Sequence, residues 1–293
     1  MLRAAEAVSH GAITVVNAMA TGRGAALGVQ LWTQARVTVT NRPGMFVARN
    51  LSDPDESTNL AKATAQCVFA RFGSDRRFGA MIETESNIPV AVGLKSSSSA
   101  SNAVALASLQ ALGRKTSDLE AVRFGVRASL RAGVTLTGAF DDACACYFGG
   151  VVITDNVRRR ILTRFRPKGR LRVLIHVPKM KRYTRDVDPT SFRPIRPFIQ
   201  AAHRGALRGD YWNSMTLNGL MYSMALGYDT RATTTALDSG AIAAGLTGKG
   251  PAVAAIVPES KKENVRAAWR PIKGQVIDTS FNVRKATVQR LPS

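Results

Sequence analysis

The feature that most constrains the fold of this chain is segment 89–107, where a glycine turn and a run of serines come directly before an alanine-rich helix. Small residues let a ligand approach the backbone, and the unpaired N–H groups and dipole of a first helical turn attract negative charge. The segment therefore predicts a phosphate-binding helix start, and a serine-rich cap on a core helix is the alternative interpretation. No G-x-x-x-x-G-K-[ST] string occurs in the sequence, so we expect a fold other than that of Walker A proteins.

Length and composition favour two globular domains. The chain has 293 residues, of which 45% are hydrophobic and 21% are charged, which excludes a disordered or coiled-coil protein. No apolar run approaches the roughly 18 residues of a membrane span. Ser9, His10 and Gly11 interrupt the only early apolar stretch, so we expect no signal peptide and a cytoplasmic location.

The charge of the chain is strongly positive, at +21 from 41 basic and 20 acidic residues. Fourteen of the basic residues lie within 158–196, and the acidic residues of this segment are Asp186 and Asp188. This excess predicts attraction to an anion, and a nucleic-acid-binding protein is one hypothesis. Only three aromatic residues interleave the stretch as stacking groups, and a solvated basic face is the simpler interpretation. These residues are Phe165, Tyr183 and Phe192.

The cysteines and histidines do not indicate a metal site. Cys144 and Cys146 form a C-x-C pair, and Cys67 lies far from them, so we expect buried, reduced thiols. The three histidines are distant in sequence and form no ligand-spaced cluster.

Hydrophobic periodicity divides the N-terminal half into strands followed by helices. Three strands of a β-meander are predicted first, at 11–20, 26–31 and 35–40. The later elements predicted in this half are a helix over 57–72, a strand over 78–85, a helix from the serines to Leu112, a helix from Ser117 to about Gly133 and a strand over 149–155. We expect Gly113 to end the serine helix, and Ser117 with Glu120 has the spacing of a capping box.

The C-terminal half has the order strand, helices, strand, helix, strand, which resembles a ferredoxin-like domain. The predicted elements are a strand over 171–177, two or three helices within 197–244, a strand over 251–257, a helix capped by Ser260 with Glu263 and a strand over 275–278. We place the domain junction near residue 160, so that the domains span 1–160 and 161–293.

Two adjacent carboxylates, Asp141 and Asp142, lie in the otherwise uncharged segment 135–150. Charges among apolar residues are costly unless they pair, cap a helix or bind a cation. One interpretation is a cap on a helix that begins at Ala143. The other is phosphoryl transfer, in which one aspartate accepts or orients the proton of an attacking hydroxyl and the other helps to hold Mg²⁺. A later glycine-rich segment, 245–254, is either an ordinary turn or a second loop of the same site.

Taken in order, three segments resemble the signature regions of the galactokinase, homoserine kinase, mevalonate kinase and phosphomevalonate kinase (GHMP) superfamily. They are a G-L-x-S-S loop at 93–97, a G-x-x-D-[DN]-A segment at 138–143 and the glycine-rich loop at 245–254. Within the superfamily, TGAFDDA (137–143) and MTLNGL (215–220) are most similar to archaeal-type shikimate kinases. The resemblance implies an α+β, two-domain GHMP kinase fold, with an N-terminal half like ribosomal protein S5 domain 2 and a ferredoxin-like C-terminal half.

The resemblance also implies a function. We expect phosphorylation of the 3-hydroxyl of shikimate by ATP with Mg²⁺, a step of aromatic amino acid (chorismate) biosynthesis. Homoserine, mevalonate or a sugar is the alternative acceptor on the same fold. The implied partner is a small molecule, with no nucleic acid or membrane partner expected, and the oligomeric state is left open.

By position in the shared motifs, the resemblance assigns roles to particular residues. Asp141 is the catalytic aspartate and also contacts the substrate, and Ser97 is the Mg²⁺-ligating serine. The residues implied to bind ATP are Pro89, Val90, Ala91, Val92, Gly93, Leu94, Lys95, Ser96, Ser97, Ser98 and Ser99, together with Thr247, Gly248 and Gly250 from the C-terminal half.

The second protein ligand of the Mg²⁺ ion is not at its usual place in this sequence. Several superfamily members complete the metal site with a glutamate in the helix before the aspartates, but Arg127 and Arg131 occupy that helix here and Glu120 is its last acid. Asp142 is therefore our candidate for the second metal ligand.

Two further positions concern the other ligands. At position 249 a lysine stands where the superfamily usually has a small residue. Shikimate carries a carboxylate, for which Arg23 beside the first glycine loop is the candidate partner, with a solvated loop cation as the alternative.

Overall fold

The computed structural model describes residues 3–135, 138–180 and 188–292. Within these ranges the chain forms eleven strands and eight α-helices, arranged as two sheets with helices packed on them. The predicted α+β class with two structural halves is confirmed. Leu136 and Thr137 of the aspartate motif, and residues 181–187 of the basic stretch with Tyr183 and Asp186, lie outside the described residues.

The first sheet is built around one long strand, β2. Its seven strands are β1 (Ala4–Val16), β2 (Arg23–Thr40), β3 (Phe46–Asn50), β4 (Gly79–Ser86), β5 (Val151–Asp155), β6 (Arg160–Phe165) and β11 (Thr287–Arg290). The order is β11-β1-β2-β4-β3, and the β5–β6 hairpin pairs with the first residues of β2. Pairing of β3 with β4 is parallel, whereas the other pairs are antiparallel.

Four helices cover one face of this sheet. They are α1 (Asn59–Arg71), α2 (Ser96–Ala111), α3 (Asp118–Arg131) and α4 (Phe140–Phe148). Most of α2 is buried, because its alanine and serine side chains are small enough for it to lie between the sheet and the neighbouring helices. The start of α2 therefore has a fixed position at the edge of the core.

The second sheet is antiparallel and has the order β10-β7-β9-β8. Its strands are β7 (Leu171–Val177), β8 (Ala243–Leu246), β9 (Val253–Pro258) and β10 (Gln275–Thr279). Three helices connect β7 to β8, and one connects β9 to β10; they are α5 (Arg196–Leu207), α6 (Tyr211–Leu226), α7 (Arg231–Asp238) and α8 (Lys262–Trp269). Numbered along the chain, the strands lie in the order 4-1-3-2 in a β-α-β-β-α-β arrangement, so the ferredoxin-like prediction is confirmed.

A shared hydrophobic core holds the two halves together. Ile13 and Leu27 of the first sheet belong to the same buried cluster as Val173 and Ile175 of the second. One further cluster lies between the first sheet and α1–α4, and another between the second sheet and α7 and α8, where Trp269 is fully buried. The site described below lies where the two halves meet.

One long strand replaces two of the predicted ones. The strands expected at 26–31 and 35–40 both belong to β2, so the predicted break between them was wrong. The pairing with β1 shifts at this point, because His10 lies opposite Trp32 while Gly11 lies opposite Val29. Such a bulge breaks the alternation of side chains without ending the strand.

Four short strands of four to six residues had no prediction, namely β3, β6, β8 and β11. A strand this short contains too few alternations to be recognised from periodicity. Strand β6 begins at residue 160 and β11 lies near the end of the described chain, yet both pair with strands of the first sheet. The domain boundary near residue 160 stays a prediction.

Helix ends follow the local signals only in part. Gly113 with φ +65° follows the end of α2, and the Ser117 side chain accepts the N–H of Glu120 at 3.3 Å, so the glycine end and the serine cap are confirmed. The Glu120 carboxylate pairs with Arg127, and no bond from it to the Ser117 N–H is found among the described residues. The cap predicted at Ser260 was wrong, because a 3₁₀ turn occupies Glu259–Lys261 and α8 begins at Lys262. The helix expected at Ala143 begins earlier, at Phe140.

The three cysteines are free and buried, as predicted. In the described ranges, no group of three or more histidine, cysteine, aspartate or glutamate side chains is placed to hold a metal ion. Among the helices that the structure describes, none combines the length and apolarity needed to cross a membrane.

Candidate active site

All three segments singled out in the sequence meet in one cleft. Its lining includes residues from 91–98 at the start of α2, from 139–142 at the start of α4, and from 248–249 in the loop after β8. The turn after β1, with Asn17, Ala18 and Met19, forms a further wall. Residues distant in sequence thus converge around one space that is large enough to take a ligand.

The start of α2 is open to this cleft. Lys95 occupies the N-cap position with a left-handed backbone, φ +66°, and no side chain of the described residues caps the helix. The first N–H groups of a helix have no partner within the helix, so those of Ser96, Ser97 and Ser98 are available to a ligand. Ser97 is exposed, and all three serines line the cleft. The arrangement suits an anion.

The two glycine loops are bound to each other through β1. The Thr247 hydroxyl donates to the Gly93 carbonyl at 2.9 Å and accepts the N–H of Thr14 at 3.0 Å. The Gly248 N–H in turn donates to the Thr14 hydroxyl at 2.8 Å. Gly93 has φ +92°, and a Cβ atom there would lie 2.0 Å from the Thr247 carbonyl oxygen. Only glycine permits this approach of the C-terminal loop to the serine loop.

Lys95 and Asp142 form an ion pair at the base of the cleft. The Lys95 Nζ lies 3.1 Å from Asp142 Oδ1 and donates to the Thr14 hydroxyl at 2.7 Å. Only 7% of the lysine side chain and 16% of the aspartate side chain are exposed. Lys95, which was expected near phosphate, and Asp142, which was expected to bind the metal ion, therefore pair with each other in this structure.

Asp141 is held by neighbours on two sides. It is 4% exposed, and its Oδ1 accepts the amide Nδ2 of Asn156 at 2.8 Å. The Asn156 Oδ1 accepts the backbone N–H of Asp141 at 3.2 Å. A Cβ atom at Gly24 would lie 2.1 Å from Asp141 Oδ2, so the absence of a side chain at Gly24 makes room for the carboxylate.

The surroundings of Asp141 change its acidity. Burial and the nearby Asp142 carboxylate raise the pKa of Asp141 to about 7, whereas the Asn156 hydrogen bond and the Lys95 charge act in the opposite direction. A carboxyl group with a pKa near the working pH is suited to proton exchange. Asp141 therefore combines a fixed position with basicity above that of an ordinary aspartate.

The other residues predicted to bind ATP lie in different environments. Val90 lines a second cavity, which Ser96 and Ser97 also border. The side chains of Val92 and Leu94 belong to the core, and Ser99 and Thr247 are fully buried. Pro89 and Gly250 flank the two loops and do not line the cleft among the described residues. The roles assigned to all these residues stay predictions.

Arg23, the predicted ligand of the shikimate carboxylate, and Glu120, the last acid of α3, both lie outside the cleft lining. Arg23 is exposed at the start of β2 and does not belong to the described lining. Glu120 on α3 pairs with Arg127 at 2.7 Å. The α3 side chain that does line the cleft is Ser129, which sequence reasoning did not single out.

The turn after β1 is held by α6, which sequence reasoning did not foresee. The Asn17 N–H donates to Asn218 Oδ1 at 2.8 Å, and the Ala20 N–H donates to the Tyr222 hydroxyl at 2.8 Å. The Tyr222 hydroxyl also lies 3.3 Å from the Asn17 carbonyl, to which it donates. The signal in the sequence was the similarity of MTLNGL (215–220) to a family, and this similarity does not show which residues α6 contacts.

The described part of the basic stretch includes a row of exposed cations near β6. On β6 and directly after it, four cations alternate with less exposed residues: Arg160, Arg164, Arg166 and Lys168. None of them lines the cleft in the described part of the chain. The guanidinium of Arg164 packs over the Phe148 ring at 4.4 Å. These four cations therefore contribute nothing to the described lining of the cleft.

Comparisons with known proteins identify the relatives of this chain. Residues 59–150 match the GHMP kinases N terminal domain, and residues 230–274 match the GHMP kinases C terminal domain. The chain is 41% identical to a shikimate kinase of Methanosarcina mazei over 94% of both chains, and 43% identical to one of Pyrococcus abyssi over 92% of this chain and 96% of that protein. The chain belongs to the GHMP kinases, among the archaeal shikimate kinases. It is thus a phosphotransferase with an alcohol group as acceptor.

Solved structures support the fold of this GHMP kinase. A homoserine kinase from Cytophaga hutchinsonii superposes with a TM-score of 0.75 at 17% identity, over 98% of this chain and 97% of that chain. A mevalonate kinase from Methanococcus jannaschii gives a TM-score of 0.76 at 14% identity, over 94% and 98%. At these identities, the likeness concerns the fold alone.

Proposed function

We propose that this GHMP kinase transfers the γ-phosphoryl group of ATP to the 3-hydroxyl of shikimate. The observation that carries the reaction type is the buried Asp141 carboxylate, which lines the same cleft as the open start of α2. The acceptor follows from the shikimate kinases that the chain resembles over nearly its whole length. The product, shikimate 3-phosphate, would enter aromatic amino acid biosynthesis.

The start of α2 binds the phosphate groups in this proposal. Ser96, Ser97 and Ser98 of its first turn line the cleft, and the N–H groups and dipole of a helix start favour anions there. Gly93 and Gly248 let the backbone of both loops approach the ligand closely. The second cavity shares Ser96 and Ser97 with the cleft, so we assign it to the nucleoside end of ATP.

The site fits a phosphate-bound Mg²⁺ ion. Mg²⁺ in kinase sites is held by one or two carboxylates plus phosphate oxygens, so a cluster of three protein ligands is unnecessary. The exposed Ser97 hydroxyl and the Asp142 carboxylate, whose Oδ1 is engaged with Lys95, are the groups that would hold it. When bound, the ion would neutralise charge on the phosphate groups.

Asp141 acts on the acceptor hydroxyl. Its carboxylate accepts the proton of the 3-hydroxyl as the oxygen attacks the γ-phosphorus, and the bond from this phosphorus to the β–γ bridging oxygen breaks to release ADP. The raised pKa of Asp141 favours acceptance of the proton. Lys95 contacts Asp142 and donates to the Thr14 hydroxyl, so these three side chains are linked to one another next to Asp141. The turn 17–20, braced by α6, forms a wall of the same cleft, where we place shikimate. Binding of the shikimate carboxylate by Arg23 stays a prediction.

A panel of acceptors tests the proposal. The purified protein is supplied with ATP and Mg²⁺, and ADP release is measured with shikimate, homoserine, mevalonate or galactose. We expect ADP release that depends on shikimate and a phosphorylated shikimate product detected by mass spectrometry. Phosphorylation of another acceptor instead of shikimate would contradict the assigned substrate, and no acceptor-dependent ADP release would contradict the kinase activity.

A further inference from the structure

Asn156 has no role in the reaction so far, yet its side-chain amide lies 2.8 Å from the Asp141 carboxylate. It follows β5 directly and is 3% exposed. Its backbone N–H donates to the Gly22 carbonyl at 2.8 Å, which ties it to the residues before β2. Its side chain reaches both the carboxylate and the backbone N–H of Asp141.

The hydrogen bonds determine which way the Asn156 amide points. A backbone N–H can only donate, so the atom that faces the Asp141 N–H at 3.2 Å must be the amide oxygen. The same oxygen accepts the Thr154 hydroxyl at 2.7 Å. The amide nitrogen is therefore left to donate to Asp141 Oδ1 at 2.8 Å. Thr154, Asn156 and Asp141 form a chain of hydrogen bonds with a single direction.

These hydrogen bonds, together with the space beside Gly24, limit how the Asp141 carboxylate can rotate. Oδ1 is held by the Asn156 amide, while Oδ2 packs in the space left open by Gly24. A carboxylate without these neighbours would rotate about its side-chain bonds, and misplacement of a reacting group by about 1 Å can cost about 100-fold in rate. Restraint of this kind acts on the reaction step more than on the binding of either substrate.

We infer that Asn156 is a positioning residue for phosphoryl transfer, whose amide holds the Asp141 carboxylate in the orientation that receives the proton of the acceptor hydroxyl. The inference rests on the proposed function, since it takes Asp141 as the group that receives this proton. Thr154 contributes by orienting the Asn156 amide.

Two substitutions of Asn156 separate orientation from simple packing. Asn156→Ala removes the amide. Asn156→Asp keeps the shape but replaces the donor nitrogen by an oxygen that faces Asp141 Oδ1. We expect each variant to lower kcat by about 10- to 100-fold, as for a misplaced reacting group, while both KM values stay within about twofold. If both variants prove too unstable to assay, Thr154→Val gives a milder form of the test, with an expected loss of about two- to fivefold in kcat.

A matched control is available in Asn102 on α2. It is also a fully buried asparagine bonded to α4, since its Nδ2 donates to the Ala143 carbonyl at 2.8 Å. No hydrogen bond joins it to Asp141 among the described residues. We expect Asn102→Ala to lower the melting temperature but to keep kcat within about twofold, because it removes stability without freeing the carboxylate.

The outcomes are distinct. A wild-type kcat in Asn156→Asp, an effect of Asn156→Ala on KM alone, or an equal loss of kcat in Asn102→Ala would overturn the positioning role. If the wild-type protein fails to phosphorylate shikimate, the proposed substrate fails instead. The same variants are then compared on whichever acceptor the wild type uses, and a selective loss of kcat there still supports the role of Asn156.

Discussion

Two helix starts that line the same cleft share a left-handed N-cap residue but differ in what their polar groups contact. At α4, the Asp141 carboxylate is buried and held by Asn156 beside Gly24. At α2, the first N–H groups have no capping side chain among the described residues and Ser97 is exposed. Groups that already have protein partners suit a reaction that needs a fixed position, whereas unpaired donors suit a ligand that comes and goes. We therefore expect changes around Asp141 to affect kcat and changes at the start of α2 to affect binding.

The largest effect is expected from Asp141→Asn. An amide cannot take up the hydroxyl proton, so we expect kcat to fall by about two or more orders of magnitude. Nucleotide affinity, measured by calorimetry with a non-hydrolysable ATP analogue, should change little. The control is Asp155→Asn, which alters a buried carboxylate that accepts the Arg158 N–H and does not line the cleft. An equal loss of nucleotide binding in Asp141→Asn would break the contrast between the two helix starts.

The next largest effect is expected from Gly24→Ala. The added Cβ atom would lie 2.1 Å from Asp141 Oδ2 and 2.6 Å from its Cγ, so the carboxylate must move. We expect a loss of about 10- to 100-fold in kcat, with nearly unchanged nucleotide affinity. Gly28→Ala in the same strand crowds Asn282 and Ala145 without touching Asp141, and it should lower the melting temperature with little loss of kcat. Equal kcat values for the two variants would contradict the importance of the space at Gly24.

A smaller effect is expected at the other helix start, from Ser97→Ala. Loss of one hydroxyl ligand should raise the Mg²⁺ concentration needed for half-maximal activity by about three- to tenfold, with kcat recovered at saturating Mg²⁺. Titration of activity with Mg²⁺ at fixed ATP measures this directly. Ser101→Ala, a buried serine of the same helix outside the cleft lining, is the matched control. A fall in kcat that excess Mg²⁺ fails to restore would show that Ser97 acts on the reaction step.

The smallest effect concerns stability and its dependence on pH. The pKa of Asp141 rises from the 3.8 of an unperturbed aspartate to about 7 in the folded protein. A group with a raised folded pKa stabilises the fold fully below its unfolded pKa, and this contribution is lost as the pH rises through the folded pKa. Without ligands, Asp141→Asn should therefore raise the melting temperature by at least about 2 °C at pH 8 and by much less at pH 4. The same shift at both pH values would contradict this account.

Local signals in the sequence predicted several elements correctly. Gly113 ends α2 because glycine adopts the left-handed backbone at little cost, and Ser117 caps α3 because its hydroxyl reaches the N–H of Glu120. Strand β7 coincides with the prediction over 171–177. These features depend on residues within a few positions of each other, so a short stretch of sequence is sufficient.

The candidate site was predicted in its components and not in its arrangement. The serine loop, Asp141, Asp142 and Gly248 were all recognised, and all line one cleft. Their partners were not foreseen. Lys95 pairs with Asp142, and Asn156 holds Asp141, although neither partner belongs to the same motif as its aspartate. Hydrogen bonds between separate motifs have no periodic signature.

By itself, the sequence determined the chemistry available to this protein: a helix start with small hydroxyl residues, two aspartates among apolar neighbours and two glycine-rich loops. Only the tertiary structure decided how these groups meet. The bulge within β2, the pairing of β11 with β1 and the bracing of turn 17–20 by Tyr222 all join residues distant in the chain. Such contacts form because burial of the whole core brings the segments together, and the local sequence does not encode that outcome.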